Sequence, residues 1–517
     1  VSAPAPRVPG DPRGFAPLEP ARHRVGERTE LYDGTVAVDH WFTVPVDHAL
    51  TLAEAEAQDA AGTGVGPHGR GTLTVFAREI RAAGDADGAR PWALYLQGGP
   101  GGAGPRPARG GGWIGALASE HRVLLLDQRG TGRSTAASVA ALTAPGAFAS
   151  DEALAEHLVH LRAPSIVRDA EMVRLALGAA PWTTLGQSFG GFCTLTYLSF
   201  HPEGLRRCLV TGGLAPLTGH ADRVYRATYA RMRDRAHEFF ARHTGDRAAW
   251  AEAVALIRAA EQAGEPVRLP DGGPLTVARA QALGMLLGGN TRVDRLHWIL
   301  AEAVDRSGPA PRLSETFLAA VAEHNDRHVN PLYTVLHESI YAQPAELAGG
   351  RAATDWSAAR VLAEHPDFDP GAADAPLPTG EHVMPASLEL DPHLRPLRGA
   401  ARLLAERTDW GPLYDVEALT RNTIPVAAAV YTDDVYVDRD LSLETAGRVR
   451  GLRVWETDAF HHDGLADDGP AIVRRLLEMT GEGAAPAAAG GAERSDAEPS
   501  DSAPAASETT TAPGPVD

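Results

Sequence analysis

The sequence predicts an α/β fold: a mostly parallel, doubly wound sheet with an inserted helical cap. Three observations carry this reading. Short apolar runs alternate with helical segments, the pattern of strands buried on both faces of a parallel sheet. Three glycine-rich stretches, 97–102, 128–134 and 186–191, each follow such a run, at the sheet edge where ligands sit. From about 216 to 405 helical periodicity replaces the alternation, which returns near 424.

A chain of 517 residues reads as two to three structural units, and 44% hydrophobic content is enough for a sizeable core. With 48 basic against 67 acidic residues, the net charge of −19 argues against a grip on nucleic acid or an anionic membrane. Every basic residue is arginine, which fits GC-rich coding, and the absence of lysine excludes Schiff-base and P-loop chemistry. Two cysteines, Cys193 and Cys208, provide no disulfide framework. The amino end lacks a basic-then-apolar leader, and no apolar run approaches membrane-spanning length. A soluble cytoplasmic protein is expected, with its oligomeric state open.

In chain order, residues 1–30 are rich in Pro and Arg and are expected to be loosely ordered. A first core portion follows over 31–215. His40–Val46 and Leu73–Ile80 form a strand pair, with 53–71 between them as an exposed Ala/Gly-rich insertion. Trp92–Leu96 and Val123–Asp127 are buried strands. Ile166, Ala170, Val173 and Leu177 mark one helical face. Pro181–Leu185 and Arg207–Thr211 continue the sheet. Over 216–405, segments 225–243, 250–263, 277–287 and 295–304 read as cap helices, and 372–385 reads as loop. The second core portion, 406–480, holds strands at 424–431 and 452–455 and a closing helix over 471–479. Residues 481–517, with seven acids against Arg494 and no apolar face, read as a disordered acidic tail.

Gly186-Gln-Ser-Phe-Gly-Gly191 fills the G-x-S-x-G template between a strand and a helix, which is a nucleophile elbow with Ser188 at its tip. Flanking glycines are required where a side chain would strike the neighbouring strand and helix. A serine nucleophile needs a base and an orienting acid, which follow in the order Ser, Asp, His in this arrangement. Asp434 and His462 fill those roles, on loops after the last two strands; Asp433, Asp438 and His461 are close enough to compete. The backbone N–H of Phe189 and that of Gly99, in the Gly98-Gly-Pro-Gly101 loop, would form the oxyanion hole. That loop lacks the G-K-[ST] ending of a phosphate cradle. The His461-His462-Asp463 run lacks metal-ligand spacing, and His237 and His243 read as surface residues of the cap, so no metal or cofactor is called for.

Gln97-Gly-Gly-Pro-Gly, Asp127-Gln-Arg-Gly-Thr-Gly-Arg-Ser134 and the elbow, together with His462-Asp463-Gly-Leu465, resemble the longer bacterial branch of the proline iminopeptidase (prolyl aminopeptidase) family over roughly 35–480. Gln97 departs from the His that many members carry there, which touches loop geometry more than reaction class. The resemblance implies an α/β-hydrolase fold and a serine peptidase that releases N-terminal proline from small peptides. It also implies a cap that blocks the amino end, where acidic residues grip the amine. Glu338, in His337-Glu-Ser-Ile-Tyr341, is the candidate for one such acid, and a second is expected but not placed. Thiol sensitivity through Cys193 or Cys208 is a further expectation from the family. The alternatives are a general esterase or amidase, or a non-catalytic binding protein on the same fold; an epoxide hydrolase or dehalogenase would need Asp where Ser188 stands.

Overall fold

The computed structural model describes residues 14–85, 87–290 and 292–481. The chain forms β1 (Arg22–Glu30), β2 (Val36–Pro45), β3 (Thr72–Arg81), β4 (Trp92–Leu96), β5 (Arg122–Asp127), β6 (Trp182–Gln187) and β7 (Leu205–Thr211). A small hairpin follows, of β8 (Val304–Asp305) and β9 (Arg312–Leu313), and then β10 (Val426–Tyr431) and β11 (Leu452–Thr457). Nine strands share one sheet, in the order β1-β2-β3-β5-β4-β6-β7-β10-β11. From β5 to β11 neighbouring strands run parallel, and the β1, β2, β3 and β5 edge pairs antiparallel.

The all-apolar strands follow from two-sided burial. Leu94, Leu96, Val210 and Ala428 face one core, covered by the helices Ala163–Ala176 and Phe189–Phe200. Ala93, Tyr95, Leu209 and Ala427 face the other, covered by Gly112–Ala118 and Gly464–Met479. Alternate residues of one strand thus enter different cores, and neither face reaches water.

The N-terminal segment corrects one expectation. From Arg22 it is strand β1, paired with β2, rather than loosely ordered chain. Nearly every β1 side chain is exposed and most are charged, as suits an edge strand, so no apolar alternation marks it. Residues 1–13 lie outside the described residues. The stretch read as an exposed insertion contains the helix Leu52–Ala61, started by a reciprocal Thr51–Glu54 capping box and burying Leu52 and Ala55. The acidic tail beyond Gly481 also lies outside the described residues.

Between β7 and β10 the chain is helical apart from the β8–β9 hairpin, with its longest helices at Ala221–Arg242 and Asp246–Gln262. The segment read as 277–287 is a short α-helix, Val277–Gln281, continuing as a 3₁₀ turn over Ala282–Gly288. A separate apolar cluster seats this cap on the sheet layer, with Leu154, Leu158 and Leu161 packed among Leu332, Leu336, Leu404 and Trp410. No helix among the described residues is long and apolar enough to cross a membrane.

Candidate active site

Ser188 occupies the turn from β6 into the helix Phe189–Phe200 with φ 53° and ψ −125°. Such a backbone costs a non-glycine residue about 1–3 kcal/mol and persists only where its surroundings fix it. Here the Ser188 N–H donates to Thr211 O at 3.0 Å, and the Gly191 N–H donates to Ser188 O at 2.7 Å. A Cβ on Gly190 would strike the Leu96 carbonyl, and one on Gly191 the Gly213 carbonyl. The elbow therefore fits only because the glycines let β4, β7 and the helix close around the serine.

The histidine and its partner acid are resolved by contact. Nδ1 of His462 lies 2.8 Å from Oδ2 of Asp434, both buried. Oδ1 of Asp434 accepts the N–H groups of Tyr436 (2.9 Å) and Val437 (3.0 Å), which fixes the carboxylate. The competitors have other work. His461 Nδ1 meets the Asp433 carbonyl at 3.3 Å, and Asp438 caps the helix Arg439–Arg448 and pairs with Arg231 at 3.1 Å. The Asp434–His462 pair flanks Gly212, whose neighbour Gly213 abuts the Ser188 carbonyl, so one strand end joins the pair to the elbow.

Burial disfavours the His462 imidazolium, yet the Asp434 carboxylate, aided by Glu381 and Asp463, overrides this and raises the ring to about 9. Glu381 was not singled out from the sequence. It is half-buried, and loss of solvation raises its carboxyl to about 7, against the pull of His462 and a 3.1 Å hydrogen bond from the Tyr333 hydroxyl. Its charge also reaches Tyr225, Tyr341 and Tyr436. An aromatic series runs from the elbow helix into the cap: Phe192 lies 5.7 Å from Tyr341, which lies 6.4 Å from Tyr225, itself 6.0 Å from His382. In the sequence Glu381 is one of two acids, with Asp374, in the stretch 372–385 read as loop, where no periodicity gives it a face.

Glu338 is buried as well, but its Oε1 accepts the Ala358 N–H at 2.9 Å. Burial raises its pKa, opposed by hydrogen bonds from the 354–358 turn. The charges of Glu338 and Glu381 both act to raise the Tyr225 hydroxyl.

The Asp127–Ser134 motif braces the loop over the elbow and does not reach toward a substrate. Asp127 accepts the Gly104 N–H (2.8 Å) and the Arg133 N–H (2.7 Å), and Gln128 Nε2 donates to Gln97 O (3.0 Å). Buried Arg129 forks onto Asp169 (both bonds 2.7 Å) and donates to the carbonyls of Pro45, Val46 and His160. Gly99 has φ 132°, and the would-be Cβ of Gly98 lies 3.0 Å from Ser188 Cβ, so the 98–99 backbone passes directly over the serine. Cys193 and Cys208 are fully buried, and burial raises both thiols, Cys208 to about 12, which leaves neither a reactive thiolate.

The alpha/beta hydrolase fold family matches residues 91–299. Proline iminopeptidase of Aeromonas sobria is 41% identical over 450 residues, covering 87% of this chain and 97% of that protein. The proline iminopeptidase aneH of Aspergillus aculeatus is 30% identical over 418 residues, 79% of this chain and 89% of its own. Similarity of this extent places the chain in the proline iminopeptidase family of the α/β-hydrolase fold.

Proposed function

We propose that the chain is a serine aminopeptidase that releases N-terminal proline from small peptides. The observation that carries the reading is the buried Asp434–His462 pair beside an elbow serine, beneath a cap whose interior holds an acid close to that histidine. Asp434 occupies Nδ1 of His462, which leaves Nε2 to take the Ser188 proton. Ser188 Oγ attacks the carbonyl of the first residue. The N–H groups of Phe189 and Gly99 receive the oxyanion; as the first residue of its helix, Phe189 has no carbonyl one turn back to bond. His462 then gives its proton to the departing amine, and water attacks the acyl-enzyme with His462 again as base.

Substrate choice resides in the cap. Glu381 is the counter-charge for the protonated proline nitrogen, a charge-assisted hydrogen bond contributing about 1.5–3 kcal/mol. Glu338, whose Oε1 accepts the Ala358 N–H while its buried Oε2 has no hydrogen-bond partner, is the second acid for the amino end. Phe192, Tyr341 and Tyr225 offer the flat apolar surface that a pyrrolidine ring fills. A closed amino-end pocket of this kind excludes N-blocked peptides. Two unpaired cysteines fit a reducing compartment, and we place the enzyme in the cytoplasm.

The test compares prolyl-, alanyl-, leucyl- and N-blocked prolyl-amides and a short-chain p-nitrophenyl ester, with wild type beside Ser188→Ala. Fast release from unblocked proline alone, lost in the variant, is expected. Ester cleavage without prolyl-amide turnover would keep the triad and overturn the peptidase reading.

A further inference from the structure

Outside the active site, the described residues bring three metal-ligating side chains together in the cap. His243 ends the helix Ala221–Arg242, Asp246 opens Asp246–Gln262, and His297 lies within Arg292–Ala301; their donor atoms all fall within 4.8 Å of one another. Nδ1 of His297 is 2.9 Å and 3.0 Å from the two Asp246 oxygens, and the two imidazoles stack at 4.3 Å. Nε2 of His243 is buried and has no hydrogen-bond partner. Asp294, one turn before His297 on the same helix, brings Oδ1 to 3.9 Å from that nitrogen.

We propose that His243, Asp246 and His297, with Asp294 as the fourth donor, form a binding site for a zinc-class divalent cation that ties three cap helices together. Imidazole and carboxylate donors suit Zn²⁺ and its neighbours in the first transition series over Mg²⁺ or Ca²⁺, which take all-oxygen shells. A tetrahedral Zn²⁺ with bonds of about 2.1 Å sets its donors roughly 3.4 Å apart, so the cluster closes around an ion by side-chain rotation without moving the helices. The side chains of His243 and His297 are 16% and 28% exposed, which leaves an entry path from solvent, while Asp246 is buried and supplies the fixed charge. Arg242 lies 3.6 Å from Asp294 and competes for that carboxylate, so Asp294 is the most weakly held of the four. None of these residues belongs to the Ser188, Asp434 and His462 cluster. The ion would therefore act on cap stability and would leave the chemistry alone.

The experiment uses the full chain stripped by a chelator and titrated with ZnCl₂, read by calorimetry and by the thermal midpoint, with MgCl₂ as control. Wild type is expected to bind one Zn²⁺ per chain with a raised midpoint and to show no response to Mg²⁺. His243→Gln and His297→Gln should each weaken binding at least tenfold and retain prolyl-amide turnover without metal. Wild type that binds no Zn²⁺, or either variant binding as tightly as wild type, overturns the site. Co²⁺ substitution gives a second reading that needs no variant: an intense visible spectrum of tetrahedral Co²⁺ is expected, and the weak bands of the six-coordinate aquo ion overturn the geometry. Either negative result leaves Asp246–His297 as a hydrogen-bonded contact between two helices.

Discussion

At the scale of single residues, the electrostatics of His462 sets how the site responds to pH. Proton abstraction needs the neutral ring, and the carboxylates around His462 raise it to about 9, so kcat/KM should climb with pH across the neutral range toward that value. Glu381 supplies part of the upward pull. Glu381→Gln is therefore expected to move this limb to lower pH while weakening prolyl-amide binding at least about tenfold, the equivalent of ~1.5–3 kcal/mol. Profiles of kcat/KM for both proteins check this; an unmoved limb would detach Glu381 from the histidine. Ser188→Ala should lose turnover on the order of 10⁴-fold or more with an unchanged circular dichroism spectrum. The elbow at Ser188 and the two loops that carry Asp434 and His462 could be read from the sequence, because motif and chain order tie each to a strand end. Choosing Asp434 over Asp433 and Asp438 required the 2.8 Å contact, since neighbours on one loop differ only in direction.

Secondary-structure elements matter here chiefly as supports for the loops they end in. Arg129 joins the β5 end to β2 and to the helix Ala163–Ala176 through Asp169, and Gln128 beside it holds the loop that carries Gly99. Replacing Asp169 by Ala leaves a buried guanidinium without its counter-charge. The expected cost is about 3–5 kcal/mol, read as a lower midpoint in urea. Burial acts to raise the Asp169 carboxyl, but Arg129 and His48 outweigh it and hold the group below its ordinary range. A depressed carboxyl contributes stability above the ordinary carboxylate pKa and loses it as pH falls through the depressed value, so Asp169→Asn should flatten the acid limb of stability. The Asp127–Ser134 motif was readable as a motif, but not as a brace, because its partners lie on other elements. Strand β1 left no periodicity to read, since the side chains of this edge strand are nearly all exposed and it buries no apolar face.

The molecule as a whole works by seating its cap against the sheet edge. Arg162, on the sheet side, donates to Ser339 O at 3.0 Å and to Ala342 O, and lies over the Trp410 ring at 4.3 Å, which fixes the turn that presents Tyr341. Burial, with Arg407 nearby, lowers Arg162 to about 9, so it is still cationic at neutral pH. Arg162→Met should raise KM for prolyl-amide about fivefold, equivalent to ~1 kcal/mol, with kcat nearly unchanged, because the substrate wall moves and the triad does not. An equal loss in kcat would show that cap and triad are not separable in this way. The cap reaches the catalytic side too: Arg292 pairs with Asp463, next to His462, and the Tyr436 hydroxyl donates to Met285 O. What the sequence by itself determined was the parallel sheet, the elbow and the order of the triad, because two-sided burial and tight turns leave marks within a few consecutive residues. Which acid faces the imidazole, that Glu381 stands beside it, and that His243 meets His297 were decided by tertiary structure alone. Those contacts join segments tens of residues apart, and in a helical cap the packing of whole helices, which no local pattern encodes, sets which side chains meet.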